Sequence, residues 1–153
     1  MATATFPKPI RILLVEDDEA CAAFFERALR ALFLVERSST YAEGREKLIL
    51  NTPPIQGMVL DLGLPNGLGL AMIRSFRMAF PKVALLVCTG LPEIGAEEVI
   101  EAGAQEFLAK PFTSPAELCD KMKLALARLK VERDFSGADK ALEKFESALP
   151  PRR

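Results

Sequence analysis

Residues 57–67 read GMVLDLGLPNG, and the interpretation of the whole chain starts from this stretch. Its short apolar run is typical of a buried strand. The run delivers one carboxylate, Asp61, and then breaks into a turn rich in glycine, proline and asparagine. Open parallel α/β sheets bind their ligands at the carboxyl ends of the strands, which is where this carboxylate stands. The polar groups that converge on Asp61 therefore decide its role.

Strands and helices alternate five times around this stretch. The predicted strands cover residues 10–15, 33–36, 57–61, 83–88 and 106–109, and the predicted helices about 19–32, 41–50, 68–79, 93–102 and 115–130. Such alternation predicts a parallel sheet with right-handed crossovers, here an α/β flavodoxin-like (βα)5 three-layer sandwich with strand order 2-1-3-4-5. We expect residues 1–9 to be a lead-in, 10–131 to form the domain, and 132–153 to be a short C-terminal helical extension.

The composition argues against several classes of protein. The 20 basic and 21 acidic residues leave no electrostatic footprint for nucleic acid or an anionic membrane. Apolar runs fall short of the roughly 20 residues of a membrane span, and the N-terminus lacks a signal-peptide core. The chain contains no histidine, which removes histidine chemistry, and its three cysteines suit buried thiols in a reducing compartment. We expect a cytoplasmic protein.

Four of the five predicted strands end in a chemically useful side chain: Glu16 and Asp17, Asp61, Thr89 and Lys110. These ends share one edge of a parallel sheet. Three carboxylates in one place repel each other, so the site should bind a hard cation such as Mg²⁺. An ammonium and a hydroxyl beside that cation would hold an anion, and the set matches the needs of phosphoryl transfer.

Each of these residues also has an ordinary structural interpretation. Acids after a strand commonly cap the next helix. Alone, Thr89 would be a turn residue, Lys110 a solvated strand end, and Asp61 a structural aspartate. The functional interpretation depends on the joint pattern, because every member stands at the same end of its strand.

Four segments together resemble the receiver domain of two-component response regulators, over roughly residues 9–131. They read ILLVEDD at 12–18, VLDLGLPNGLG at 59–69, VCTG at 87–90 and AGAQEFLAKPF at 102–112. The resemblance implies that Asp61 accepts a phosphoryl group from a histidine kinase or a histidine phosphotransfer protein. It also implies that Glu16, Asp17, Asp61 and the Gly63 carbonyl bind Mg²⁺.

The same resemblance implies a signalling switch. Thr89 would bond a phosphoryl oxygen and Lys110 would pair with the phosphoryl group, aimed by a cis bond to Pro111. Inward movement of Thr89 would let the Phe107 ring turn in, which changes the face of helix 4, strand 5 and helix 5 that a downstream target protein contacts. The alternative interpretation of Phe107, as an ordinary core or edge residue, is the less favoured one. No separate substrate turnover is expected, so the chain would not be an enzyme.

The sequence departs from the family pattern at three places. Gly63 and Leu91 stand where amide or acid side chains in other members orient the water that hydrolyses the acyl phosphate, so we expect slow self-dephosphorylation. Leu68 replaces a usual aspartate, which predicts a different entry to helix 3. The compact loops around Thr89 predict a short helix 4.

The C-terminal segment carries one apolar stripe at coiled-coil spacing, with a glycine, Gly137, that weakens continuity with helix 5. The stripe consists of Phe135, Ala138, Leu142, Phe145 and Leu149. Three interpretations stay open: a helix packed back on the domain, an extension that docks a partner or a second copy, and a truncated linker. The apolar content of helix 4, strand 5 and helix 5 permits a homodimer without requiring one.

Two other functions compete with the phosphorylated receiver. One is an unphosphorylated receiver-like scaffold for protein interaction or dimerisation, which the complete set of pocket residues disfavours. The other is a small flavodoxin-like enzyme. Acids rather than a glycine-rich loop follow the first strand, where they would repel a nucleotide or flavin phosphate.

Overall fold

A computed structural model describes residues 8–50, 52–63, 69–111 and 114–148. The strands are β1 (Arg11–Val15), β2 (Leu34–Ser38), β3 (Gly57–Asp61), β4 (Ala84–Thr89) and β5 (Glu106–Ala109). The helices are α1 (Glu19–Leu29), α2 (Tyr41–Leu50), α3 (Leu70–Ala79), α4 (Ala96–Ala102) and α5 (Pro115–Ala148). All strands are parallel, in the order β2-β1-β3-β4-β5. The predicted flavodoxin-like (βα)5 sandwich is therefore confirmed.

Apolar side chains form one core layer on each face of the sheet. Successive strand residues point to opposite faces, so Leu13 of β1 packs in the layer of α2, α3 and α4, which includes Phe76. Its neighbour Leu14 packs in the layer of α1 and α5, with Phe25 and Met122. β3 and β4 are buried along their whole length, as expected of central parallel strands covered on both faces.

Helix α1 begins as predicted and ends three residues early. The Asp18 carboxylate caps it by accepting a hydrogen bond from the Cys21 backbone N–H at 2.7 Å. The helix ends at Leu29, followed by turn residues. The spacing of apolar residues close to 3.6 predicts that Phe24 and Leu32 lie on the buried face of this helix, but both are exposed.

Helix α4 is short, as the compact loops predicted. It begins at Ala96, three residues later than predicted, where the Gly95 N–H donates to the Glu98 carboxylate at 3.3 Å. It ends at Ala102 and is followed by Gly103, which has a φ of 126°. That conformation suits glycine, which has no Cβ. Leu68, at the predicted start of helix 3, lies outside the described residues.

Helix α5 contradicts the prediction that Gly137 weakens helical continuity. It runs unbroken from Pro115 to Ala148, with Ser114 accepting a hydrogen bond from the Glu117 N–H at its start. An interior glycine costs only about 1 kcal/mol, which a long helix tolerates. The described side chains between 133 and 148 are all exposed, which contradicts one of the three interpretations of this segment, a helix packed back on the domain. None of the described helices is both long and apolar enough to cross a membrane.

Candidate functional site

The predicted site residues meet at the carboxyl edge of the sheet. Glu16 follows β1 directly, Asp61 ends β3, Thr89 ends β4 and Lys110 follows β5. Glu16 and Thr89 are almost fully buried, at 1% and 2% exposure, while Asp17 is exposed to solvent. The edge is therefore a pocket with a closed floor and one open side.

Three carboxylates form the acidic part of this pocket. Glu16, Asp17 and Asp61 each place a carboxylate oxygen within 4.8 Å of the others. Burial raises the pKa of Glu16, and the charge of Asp61 raises it further, although Lys110 opposes both effects. The donors are all hard oxygens and carry an excess of negative charge, which fits a hard divalent cation with several retained waters.

Lys110 bridges two of the three carboxylates. Its Nζ lies 3.1 Å from Glu16 Oε2 and 3.3 Å from Asp61 Oδ2, and it also lies 5.5 Å from the centre of the Phe25 ring. Burial alone would lower the pKa of Lys110, but its bonds and charge contacts with the two carboxylates raise it above the ordinary value. The ammonium is therefore charged throughout the physiological pH range.

The backbone fixes where Lys110 points. Its N–H donates to the Thr89 carbonyl at 2.9 Å, which continues the pairing of β4 with β5. The bond between Lys110 and Pro111 is cis, as the resemblance implied. On the other side of the pocket the Gly63 N–H donates to Asp61 Oδ1 at 2.9 Å.

Thr89 and Phe107 share one face of the sheet. Thr89 pairs in register with Ala109, two residues beyond Phe107, so the two side chains point the same way. The Thr89 hydroxyl oxygen accepts the Leu91 N–H at 3.1 Å. Phe107 is half-buried against the core layer that includes Val99 of α4. The two residues of the proposed switch are therefore neighbours on adjacent strands.

One residue that braces this site was not predicted. Arg37 of β2 donates to the Glu16 backbone carbonyl from Nε at 3.3 Å and from Nη2 at 3.1 Å. Its Nη1 pairs with the Glu19 carboxylate at 2.9 Å. Arg37 thus ties both ends of the loop that carries Glu16 and Asp17 to the neighbouring strand.

The chain is similar to known response regulators in sequence and in structure. The response regulator receiver domain model matches residues 12–123. The response regulator MprA of Mycobacterium ulcerans is 30% identical over 144 residues, covering 93% of this chain and 61% of MprA. The CheY-like receiver domain protein of Methanospirillum hungatei JF-1 is 26% identical with a TM-score of 0.68, covering 82% of this chain and 99% of that one.

A BeF3-activated DrrB receiver domain is 25% identical with a TM-score of 0.64, covering 78% of this chain and 98% of that one. The chain spans between 51% and 61% of the length of five curated relatives, so the match is to one part of those proteins. The chain belongs to the response regulator receiver domain family of two-component signalling.

Proposed function

We propose that Asp61 accepts a phosphoryl group from a histidine kinase or a histidine phosphotransfer protein, in a Mg²⁺-dependent reaction within a phosphorelay. The observation that carries the proposal is the Lys110 ammonium, held 3.3 Å from Asp61 Oδ2 inside a pocket of three carboxylates. A nucleophilic carboxylate beside a fixed positive charge and a cation site is the arrangement that phosphoryl transfer requires. Relatives at 30% identity and above are named as regulatory proteins, which agrees with this role.

The residues of the pocket would have different roles in the phosphoryl transfer. Glu16, Asp17, Asp61 and the Gly63 carbonyl would hold Mg²⁺, which supplies positive charge against the oxygens of the incoming group. Asp61 is the nucleophile, and the Lys110 ammonium exchanges its contact with the free carboxylate for one with a phosphoryl oxygen. Positioning and charge neutralisation dominate such a reaction, and the Lys110 ammonium, already held beside Asp61, would contribute to both together with Mg²⁺.

Phosphorylation in the pocket would change the surface of α4, β5 and α5 through Thr89 and Phe107. A phosphoryl oxygen offers the Thr89 hydroxyl a strong acceptor, which draws that side chain toward Asp61. The space it leaves lies on the face of the sheet that Phe107 shares, so the half-buried ring turns inward. A downstream target protein, or a second copy, would recognise the changed surface of α4, β5 and α5.

Intact mass measured after incubation with a small acyl-phosphate donor tests the proposal. We expect a gain of one phosphoryl group in the wild type with Mg²⁺, and none with EDTA or in Asp61→Ala. The matched control is Asp120→Ala, which removes an exposed carboxylate on α5 that is not one of the three clustered carboxylates. Absence of a Mg²⁺-dependent gain in the wild type would leave the unphosphorylated scaffold as the better function.

Substitution of Arg37 should weaken Mg²⁺ binding, although Arg37 is not one of the proposed Mg²⁺ ligands. Because Arg37 holds the Glu16 carbonyl and Glu19, Arg37→Ala frees the acidic loop, and we expect about a tenfold rise in the Mg²⁺ dissociation constant. Arg37→Lys should recover only part of the loss, since an ammonium cannot reproduce the two-pronged contact. The dissociation constant is measured by titrating Mg²⁺ and recording the midpoint of thermal unfolding at each concentration. Arg30→Ala, which removes an exposed guanidinium directly after α1 that is paired with Glu26 at 3.6 Å, serves as the control. An unchanged affinity in Arg37→Ala would refute the bracing role.

A further inference from the structure

From Leu124 onward α5 presents an apolar stripe to solvent, here named the α5 seam, which is interrupted only at the exposed Arg128 among the described side chains. Its described members follow a heptad pattern, in which every residue falls on position a or d. They are Leu124, Val131, Phe135, Leu142 and Phe145, with exposed fractions between 42% and 67%. Large apolar side chains that line up on one exposed helix face mark an interaction surface, whereas single exposed ones do not.

The helix that carries the seam is held firmly at its base. Glu132 accepts a hydrogen bond from Gln105 Nε2 at 3.2 Å, and Arg128 Nη1 lies 2.8 Å from the Glu106 carboxylate. Gln105 itself accepts the buried Leu85 N–H at 2.8 Å. The base of the extension is therefore tied to the sheet, so a binding partner meets an ordered helix and less conformational entropy is lost on binding.

Charges along this helix are sorted by their position relative to the seam. Positions e and g flank the seam, and from residue 127 to 148 they hold only acids and alanines. The acids are Glu132, Asp134, Asp139 and Glu146. The basic residues of the same stretch beyond Arg128 occupy positions c and f, on the opposite side, and they are Lys130, Arg133, Lys140 and Lys144. Residues at e and g set the choice of partner in helix pairs.

We propose that the α5 seam docks an amphipathic helix of a partner protein whose apolar stripe is flanked by lysine or arginine. Such a helix buries the seam and gives each of the four flanking acids an opposite charge. A second copy of this chain fits worse. In a parallel pair Asp134 faces Asp139 of the second copy, and in an antiparallel pair Glu132 approaches Glu146. The proposal is independent of phosphorylation at Asp61.

Two synthetic peptides of matched length test the charge requirement. Both carry leucine at a and d over three heptads, one with lysine at e and g and the other with glutamate. We expect the full chain to bind the lysine peptide at least tenfold more tightly than the glutamate peptide, since several exposed charge pairs each contribute about a factor of two. The preference should shrink as salt is raised.

Variants on the two sides of the helix locate the binding surface. Phe135→Ser with Leu142→Ser should abolish binding of the lysine peptide, and Asp134→Lys with Asp139→Lys should remove the preference for it. Lys140→Glu, on the opposite side, should leave binding unchanged. Circular dichroism establishes that each variant keeps its helix. Equal binding of the two peptides would overturn the proposal. Self-association of the wild type in sedimentation, lost in the serine variant, would overturn it in favour of a second copy.

Discussion

Lys110→Met is expected to destabilise the metal-free protein by about 2 kcal/mol. The Lys110 ammonium contacts the carboxylates of Glu16 and Asp61, whose side chains are 2% and 12% exposed. Removal of one partner from a buried ion group usually costs 3–5 kcal/mol, because the remaining charges stay desolvated and repel each other. We expect a smaller cost here because the exposed Asp17 side leaves the pocket open to water.

Excess Mg²⁺ should recover most of that loss, since the cation replaces the missing positive charge among the same carboxylates. Lower pH should recover part of it as well. The folded-state pKa of Glu16 is already raised, so its carboxyl group takes up a proton at a higher pH in the folded chain than in the unfolded chain. As pH falls through that raised pKa, the repulsion disappears and the variant gains stability relative to neutral pH.

Urea denaturation in EDTA and in excess Mg²⁺ measures both effects. Lys121→Met is the matched control in the same fold. Lys121 lies 3.3 Å from the buried Glu106 carboxylate, but Arg128 remains 2.8 Å from that carboxylate after the change. Lys121→Met should therefore lower the free energy of unfolding only slightly, and Mg²⁺ should not change that effect. Equal stability of Lys110→Met and the wild type in EDTA would show that the ammonium does not offset the repulsion among the carboxylates of the pocket.

The sequence was sufficient to predict the pocket because one topological rule governs it. Parallel strands bring their carboxyl ends to one edge, so Glu16, Asp61 and Lys110 had to meet although 94 positions separate the first from the last. The observed strands lie within two residues of the predicted ones, since short apolar runs bounded by turn residues define them sharply. The roles of these residues in metal and phosphate binding stay proposals.

The features that the sequence did not predict depend on side-chain directions and on small differences in free energy. A pattern of residue types contains neither. Arg37 lies one residue beyond the predicted strand 33–36 and belongs to none of the recognised motifs, and only the register of β2 beside β1 brings its guanidinium to the Glu16 carbonyl. The predicted face of α1 was rotated, so Phe24 is exposed while Ala22 is buried. Gly137 was given too much weight, because a glycine penalty of about 1 kcal/mol is small for a helix of 34 residues.

Phosphorylated Asp61 is expected to survive for hours, in order of magnitude, because neither Gly63 nor Leu91 has a side chain that can orient the hydrolytic water. Gly63 has no side chain, and its N–H donates to Asp61 Oδ1 at 2.9 Å. Leu91 packs against the core layer of α3 and α4, and it offers Thr89 only its backbone N–H. Neither residue can hold a water in line with the acyl phosphate.

An amide introduced at one of these positions should shorten the lifetime at least tenfold. Gly63→Asn is the sharper test, because a Cβ at this position would lie 3.3 Å from Asp61 Oδ1, which brings the amide to the edge of the reacting carboxylate. Gly63→Ala is the matched control, since it adds the same Cβ without the amide. If Gly63→Ala also accelerates loss of the phosphoryl group, that part of the acceleration would come from displacement of Asp61 rather than from a positioned water.

The decay of the phosphorylated mass after removal of the donor, with Mg²⁺ kept in excess, measures these lifetimes. A wild-type half-life below about one minute would contradict the expectation, since it would require another group to position the water. A long wild-type lifetime with equal rates in Gly63→Asn and Gly63→Ala would mean that access of water, rather than its orientation, limits hydrolysis. In that case the closed floor formed by Glu16 and Thr89 would be the cause to examine.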